Sequence, residues 1–517
     1  MTGDLTPHKW VITFTVVTAT LMATLDTSIV NVALPYMRGA LNASVEEITW
    51  VATGYLLSAV IVMPLIGLLS SRMGRKRFYI VSVGLFTCAS MLCGFAWDLP
   101  SMVVFRILQG IGGGTLIPLS QAVLRETFPA EEQATAMSIF GLGIMLGPAF
   151  GPTLGGWLTD NYSWPWIFYI NLPVGVLNMF LIVRFIEDPP YLVRETGRID
   201  VAGLFFLAVG LGALQIMLEK GEQKDWFASN MMTWLAVSAC LGLLLFVVRE
   251  LTTDRPAVDL RILKDINFSS VSLLSGIFGM GLFAAIFILP LFLQQLLGYP
   301  AYNSGLALLP RSVAMAVTMP FGGKVYDRAG PRALIILGLF MNVISFYQLS
   351  CLALDVGYWE LFFPQVVQGI GFGFIFVALN TAVLSTIEKP FMAAASGLYN
   401  VIRQVFSSVG IALAATFLVR GEYWYRAVLT EHTTAFSDAT SESLHRLSLL
   451  LSSQGANASG TDMEALKVLD MTVVRQADML AYNHVFFLIA AIFLFSLPLV
   501  PFIKHKMRET GEKVVAE

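Results

Sequence analysis

The sequence predicts an all-α protein that crosses a membrane many times, and three observations predict it. Of 517 residues, 56% are hydrophobic and only 13% are charged, against about 25% charged in soluble domains. The apolar residues gather into about fourteen runs, each near the ~20 residues that a helix needs to cross a hydrocarbon core of about 30 Å. A pattern of glycines and basic residues recurs between two pairs of those runs, which marks an internal duplication.

The runs lie at about 11–34, 50–70, 78–97, 101–123, 134–158, 166–186, 201–218, 231–248, 267–293, 302–325, 333–352, 358–385, 393–419 and 484–503. No water reaches the hydrocarbon to satisfy a backbone amide, so each run reads as a helix. The first follows a short polar start with Lys9. It is long for a signal peptide and has no small-residue cleavage site, so it reads as an uncleaved span.

An even count places both termini on one side. Alternate connections carry Arg72, Arg75, Lys76 and Arg77, then Arg194 and Arg198, then Arg249, Arg255, Arg261 and Lys264, then Arg328 and Arg332, and finally Lys504, Lys506 and Arg508. The other side offers little beyond Arg38, Lys220 and Lys224. Basic loops stay in the cytoplasm, so both termini are expected there. Trp97, Trp164, Trp166, Trp226 and Trp359 fall near the opposite ends of spans, as an interfacial aromatic belt requires.

Between spans two and three stand Gly67, Arg72, Gly74, Arg75 and Lys76; between spans ten and eleven stand Gly323, Asp327, Arg328, Gly330 and Arg332. The shared spacing implies two six-helix bundles related by a pseudo-two-fold, with spans seven and eight inserted between them. The expected organisation is a bundle over 1–190, a linker with two spans over 191–260, and a second bundle over 261–517 with a long outer connection at about 420–483.

A net charge of −3 without a basic face argues against a nucleic-acid partner. Cys88, Cys93, Cys240 and Cys351 lie in apolar runs without ligand spacing and read as buried inert thiols. The five histidines, at termini, span edges and the long connection, support neither a metal site nor a proton relay. No phosphate-cradling GxxxxGK[ST] loop occurs, so ATP is not the energy source and no cofactor is expected. An enzyme would want clustered His, Cys or paired carboxylates, and no catalytic constellation is found. Any transport must then draw on an ion gradient or run passively.

The residues inside the spans carry the chemistry. Asp26 stands about 24 Å of helix rise beyond Trp10, inside the hydrocarbon zone. An ionised carboxylate there must be paired, hydrated or protonated, and protonation is what proton coupling needs. The rival is a neutral Asp bonded to Thr27 or Ser28. Arg106 keeps its charge, so it must meet an acid, carbonyls or water; it either tunes a nearby acid or bonds helix carbonyls. Arg403 has the same logic in the other half, facing anionic substrate groups or a second water cavity. Arg311 is expected to snorkel to the outer interface. Gly143, Gly147, Gly151 and Gly155 recur every four residues while Pro148 and Pro152 bend the helix. Together they suggest a tight, kinked seam between the bundles, or plain small-residue packing. Met463, Leu466, Leu469, Val473, Ala477 and Leu480 recur at helical spacing in the long connection, a face that covers its own bundle or docks a partner.

The chain resembles the major facilitator superfamily, and within it the fourteen-span drug:H⁺ antiporters of EmrB type. Gly67 to Lys76 matches the loop signature GxLaDrxGrk, with Ser71 where the family carries Asp; Asp327 keeps that acid in the second half. Arg106-Ile-Leu-Gln109-Gly110-Ile-Gly112 matches the span-four signature, and Gly147-Pro148 through Gly151-Pro152 to Gly155-Gly156 matches the span-five exporter signature. Leu25-Asp26 through Asn31 to Pro35 matches the span-one motif, and 166–173 and 476–482 look like the EmrB subgroup. The resemblance implies proton-coupled export of amphipathic drugs through Asp26 and Arg106. It implies a periplasmic adaptor protein and, through it, an outer-membrane channel. Asn31, Trp50, Tyr55, Gln109, Asn380, Asn400, Arg403 and Gln404 are the candidates for a broad, mostly apolar cavity between the halves, drawing on 50–57 and 372–380. An uptake symporter or facilitator for one metabolite is the alternative on the same fold.

Overall fold

The computed structural model describes residues 8–191, 200–253, 256–434, 437–453 and 461–503. Arg194, Arg198, Arg255, Lys504, Lys506 and Arg508, invoked above for orientation, lie outside them. Among the described residues, thirteen helices are long and apolar enough to cross a membrane. One of these, Asn303–Leu349, holds two spans, because Gly330 breaks it at φ 79° just before Pro331. Fourteen crossings result. They are α1 (Lys9–Ala40), α2 (Val45–Met73), α3 (Arg75–Gly94), α4 (Leu99–Thr127), α5 (Gln133–Asn161), α6 (Trp166–Phe185), α7 (Val201–Lys220), α8 (Asn230–Thr252), α9 (Ile266–Leu296), α10 (301–329), α11 (331–349), α12 (Tyr358–Ala382), α13 (Met392–His432) and α14 (Thr461–Ser496).

The face on which α1 begins is termed the terminal face and the opposite one the loop face. At the terminal face the duplication becomes physical. Gly74 turns the α2–α3 connection at φ 85°, where a side chain would be strained, and its neighbour Lys76 donates its amide to Asp188 beyond α6 at 2.9 Å. Gly330 makes the same turn in the second half, and Arg332 donates to the carbonyls of Ile503 and Pro501 beyond α14. Each loop is thus clasped to the end of the sixth helix of its own half. Arg75, 1% exposed, pairs with Glu126 at 2.7 Å.

The inserted pair packs on itself where Gly210 and Gly242 meet backbone to backbone. It then leans on both halves. Gln215 bonds Ser408 of α13 at 3.0 Å, and Lys220 reaches Thr49 beside α2.

The long outer connection is helical rather than a loop. α13 runs for 41 residues, about 62 Å, roughly twice the hydrocarbon thickness. It projects past the loop face, returns through the helix Asp438–Ser453 and descends as α14. Arg426 pairs with Asp470 at 3.0 Å between the two rising helices. The expected apolar stripe is only partly covered. Ala477 is buried and Leu469 and Val473 are half-buried, while Met463, Leu466 and Leu480 stay exposed.

The cysteines need correction. Cys93 is buried, but Cys88 of α3 and Cys240 of α8 are exposed, because a helix in a bilayer turns part of its side chains outward rather than toward a core, and Cys351 is exposed in the turn after α11.

Candidate functional site

Five helices of the first half converge on Asp26, which is 0% exposed. Arg106 Nη1 of α4 donates to Asp26 Oδ2 at 2.6 Å and to Gln109 Oε1 at 2.6 Å. Gln109 Nε2 donates to Asp26 Oδ1 at 2.8 Å, and Asn171 Nδ2 of α6 donates to the same oxygen at 3.1 Å. Asn171 also donates to Ser90 Oγ of α3 at 3.0 Å. Arg106 Nε is taken by the Val51 carbonyl of α2 at 3.0 Å, and its guanidinium lies 4.5 Å from the centroid of the Tyr55 ring. Every heteroatom of the acid is satisfied. In a low-dielectric interior such a pair holds only when its remaining lone pairs and protons are bonded, as here.

Glycine spacing on α4 lets three of these helices meet closely. Gly110, Gly113 and Gly114 sit where a Cβ would strike Tyr55, Ser58 or Ala59 of α2, and Gly112 where it would strike the α3 backbone. These glycines draw α2, α3 and α4 close enough for Arg106 to bond a carbonyl across the gap. The expected stripe Gly143, Gly147, Gly151 and Gly155 faces Val17, Thr24, Ser28 and Ile29 of α1. It is therefore a joint inside the first half, fixing the helix that carries Asp26, and not the seam between the bundles. Pro148 and Pro152 lie on its exposed side.

The seam lies nearer the terminal face. Gly141 meets Phe376 of α12, Gly67 meets Ala394 of α13, and Gly323 meets Ala134 and Ser138 of α5. The two signature glycines, Gly67 and Gly323, thus each seat the start of the fifth helix of the opposite half. Across the same seam Gln121 of α4 donates to Asn380 at 3.2 Å and accepts from Asn400 at 2.9 Å and Ser396 at 2.9 Å. Ser396 also donates to the Pro118 carbonyl at 2.8 Å. Arg403 donates to Asn400 Oδ1 at 2.8 Å and lies over the rings of Tyr399 and Phe376.

Several cavity candidates are relocated by this geometry. Tyr55 and Gln109 belong to the buried Asp26 cluster, and Asn380 and Asn400, each 2% exposed, belong to the closed seam. Phe372, expected to line the cavity, is packed among Phe278, Phe346 and Phe493 in the second half's core. Asn31 is exposed; Trp50, beside Lys220, and Gln404 are half-buried. An apolar crevice of about 430 Å³ is lined by α9, α13 and α14 alone, among them Met280, Leu413 and Ile489. It is not the inter-half cavity. Among the described residues no group of His, Cys, Asp or Glu could hold a metal. Asn171, Ser90 and Gln121 were missed by sequence reasoning: a lone Asn, Ser or Gln in an apolar run is an ordinary packing residue, and only its neighbours make it functional.

The model of the Major Facilitator Superfamily matches residues 16–411. The chain is 33% identical over 497 residues to the fatty acid resistance protein FarB of Neisseria gonorrhoeae, covering 95% of this chain and 96% of that one. It is 34% identical over 493 residues to the multidrug export protein EmrB of Escherichia coli K12, covering 94% and 93%. Among solved structures, the human organic anion transporter MFSD10 (TETRAN) superposes with a TM-score of 0.61 over 96% of this chain and 100% of that one, at 12% identity, which bears on the fold alone.

Proposed function

We propose that this chain, which belongs to the major facilitator superfamily, exports amphipathic toxic solutes in exchange for protons entering through Asp26. The observation that carries the reading is the Asp26–Arg106–Gln109–Asn171 cluster. It holds the one carboxylate fully buried deep within the spans of the first half; Glu250, the other buried carboxylate among the described residues, sits at the end of α8. A carboxylate alternates between a charged and a neutral form, while Arg106 keeps its charge throughout. Protonating Asp26 breaks the ion pair and leaves Arg106 held by the Val51 carbonyl and Gln109, so the energy of the cluster depends on the proton. Antiport needs such a group, because two ligands exchange only if each favours a different state of the same protein.

The closed seam supports a state sealed at the terminal face. Taking the terminal face as cytoplasmic, as the basic residues Arg72, Arg75, Arg328 and Arg332 suggest, the halves are sealed by Gln121, Asn380, Ser396 and Asn400 on the inside. The substrate path then opens outward, and the cycle must break this seam to load from the cell. The relatives named as multidrug export and fatty acid resistance proteins support toxic amphiphiles as cargo. An inner membrane location and an adaptor docked on the α13–α14 hairpin complete the reading.

The test is dye efflux from proteoliposomes under an imposed pH gradient, with Asp26→Asn as the variant. The amide keeps the volume and hydrogen bonds but cannot titrate. Uphill efflux should fall to the level of empty liposomes while dye binding persists and loses its pH dependence. Pumping by Asp26→Asn at the wild-type rate would place the coupling acid elsewhere.

A further inference from the structure

The span-four signature has an unrecognised copy in the second half. Arg106-Ile-Leu-Gln109-Gly110-Ile-Gly112 of α4 is repeated as Gln365-Val-Val-Gln368-Gly369-Ile-Gly371 of α12. The packing follows the copy. A Cβ on Gly110 would strike the carbonyl of Tyr55 on α2, and one on Gly369 would strike the carbonyl of Arg311 on α10; one on Gly112 would strike α3, and one on Gly371 would strike Asn342 and Gly338 of α11. Arg311 therefore holds the place of Tyr55, the residue whose ring underlies the Arg106 guanidinium. The arginine has moved from the fourth helix of one half to the second helix of the other.

Its acid has not moved with it. α9, which corresponds to α1, contains no Asp or Glu over Ile266–Leu291. The acids of α10, α11 and α12 are Asp327, at the terminal-face end, and Glu360, which caps the start of α12 by accepting from Gly357. Arg311 is 9% exposed, so it does not snorkel to the interface. It stands ten residues into its helix, about 15 Å below the loop-face end. Its hydrogen-bond partner is Gln368 Oε1 at 3.5 Å, a long contact for a guanidinium. Gln368 itself is 0% exposed, and its Nε2 donor has no partner. Among the described residues, a buried cation therefore has one long bond to an amide oxygen, the donor of that same amide has no partner, and no ion pair joins Arg311 to an acid.

We propose that Arg311 and Gln368 form a binding site for the carboxylate head group of an amphipathic acid carried by this transporter. A guanidinium matches a carboxylate with two parallel donors, and Gln368 Nε2 supplies a third. The adjoining turns of α10 are apolar, with Ala307 and Met315 buried beside Arg311, which suits a head group followed by a hydrocarbon tail. In the first half Asp26 fills the equivalent role from within the chain; in the second half the solute supplies it. The inference rests on the export reading above and names a cargo class for it.

The experiment measures binding of radiolabelled octanoate and octyltrimethylammonium to the full chain in zwitterionic nanodiscs, with empty discs subtracted. The two probes have alkyl tails within one methylene of each other and differ in head charge. The wild type should bind octanoate at least about tenfold more tightly, the order that one charge-assisted hydrogen bond supports. Arg311→Gln should erase that preference. Gln368→Glu should erase it too, by supplying an internal carboxylate beside the guanidinium, and it keeps Arg311 paired, so it decides the matter if Arg311→Gln misfolds. Octanoate bound no better than octyltrimethylammonium, or a preference that survives in a folded variant of either kind, overturns the site. The same proteoliposomes separate the two readings: cation efflux driven by a pH gradient with octanoate ignored sinks the site and leaves export standing, whereas octanoate bound but nothing pumped sinks export and leaves the site.

Discussion

Arg106 stands on the fourth helix of one half and Arg311 on the second helix of the other, within a helix-packing pattern that the halves share, yet one is locked to a carboxylate and the other is not. Arg106 has Asp26 at 2.6 Å and a carbonyl at 3.0 Å; Arg311 has a single amide oxygen at 3.5 Å. The glycines that fix close approach, Gly110 and Gly112 against Gly369 and Gly371, are retained in both. Duplication has thus kept the backbone geometry while the charges on it diverged. Packing tolerates little change because a Cβ at any of these glycines meets another helix, whereas a charge can move to a neighbouring helix if the interior stays solvated, paired or ligand-filled.

The largest effect that would break this comparison is on stability. Removing one partner of a buried pair leaves the other uncompensated, at about 3–5 kcal/mol. Arg106→Leu should therefore lower the unfolding midpoint of the purified protein sharply, while Arg311→Leu should leave it nearly unchanged or raise it, since it loses one long bond to Gln368 and strands no charge. Asp26→Asn introduced into Arg106→Leu should recover much of the loss without restoring transport. Equal destabilisation by the two leucine variants would mean that Arg311 has a structural partner after all.

How much of this was legible beforehand depends on what kind of residue is involved. A charge in an apolar run announces itself, because the bilayer penalises it wherever it points, and so Asp26 and Arg106 stood out from the sequence although 80 residues separate them. Asn171 and Gln121 did not, because an amide is tolerated in a span for many reasons. The glycine stripe from Gly143 to Gly155 was visible as a face, but a face does not name its partner; α1 took it, and the seam fell at Gly141 and below. Arg311 was misplaced although its span was expected at about 302–325, because a long side chain nine residues into a span can still snorkel outward, and only the packing of α10 on α12 at Gly369 and Gln368 shows that it turns inward.

A smaller effect is expected at the seam. Asn380, Ser396 and Asn400, which Gln121 serves across the seam, also keep bonds to Tyr399, Pro118 and the Ser396 carbonyl. Gln121→Leu therefore removes three buried hydrogen bonds at about 0.5–1.5 kcal/mol each. Only the sealed state contains those bonds. The variant should therefore shift the population toward the state open at the terminal face, read as faster labelling of a cysteine placed at Ala394 beside Gly67. Unchanged labelling would mean that the apolar contacts, Phe376 on Gly141 among them, hold the seam without the amides.

The smallest effect belongs to the α13–α14 hairpin, where the comparison with the buried pair is most direct. Arg426 and Asp470 lie 3.0 Å apart, much like Arg106 and Asp26, yet their side chains are 51% and 58% exposed. Water screens an exposed pair and ordering two long side chains opposes it, so its worth is about 0–1 kcal/mol. Arg426→Ala should leave unfolding and proton-driven efflux in proteoliposomes within error of wild type. The hairpin's exposed Met463, Leu466 and Met471 offer an apolar surface instead, and charging it with Leu466→Glu and Met471→Glu should impair resistance in whole cells while transport by the isolated chain is spared. Loss in both assays would show that the hairpin supports the pump itself rather than a partner, and that its solvent-facing packing matters as much as the pair buried beneath it.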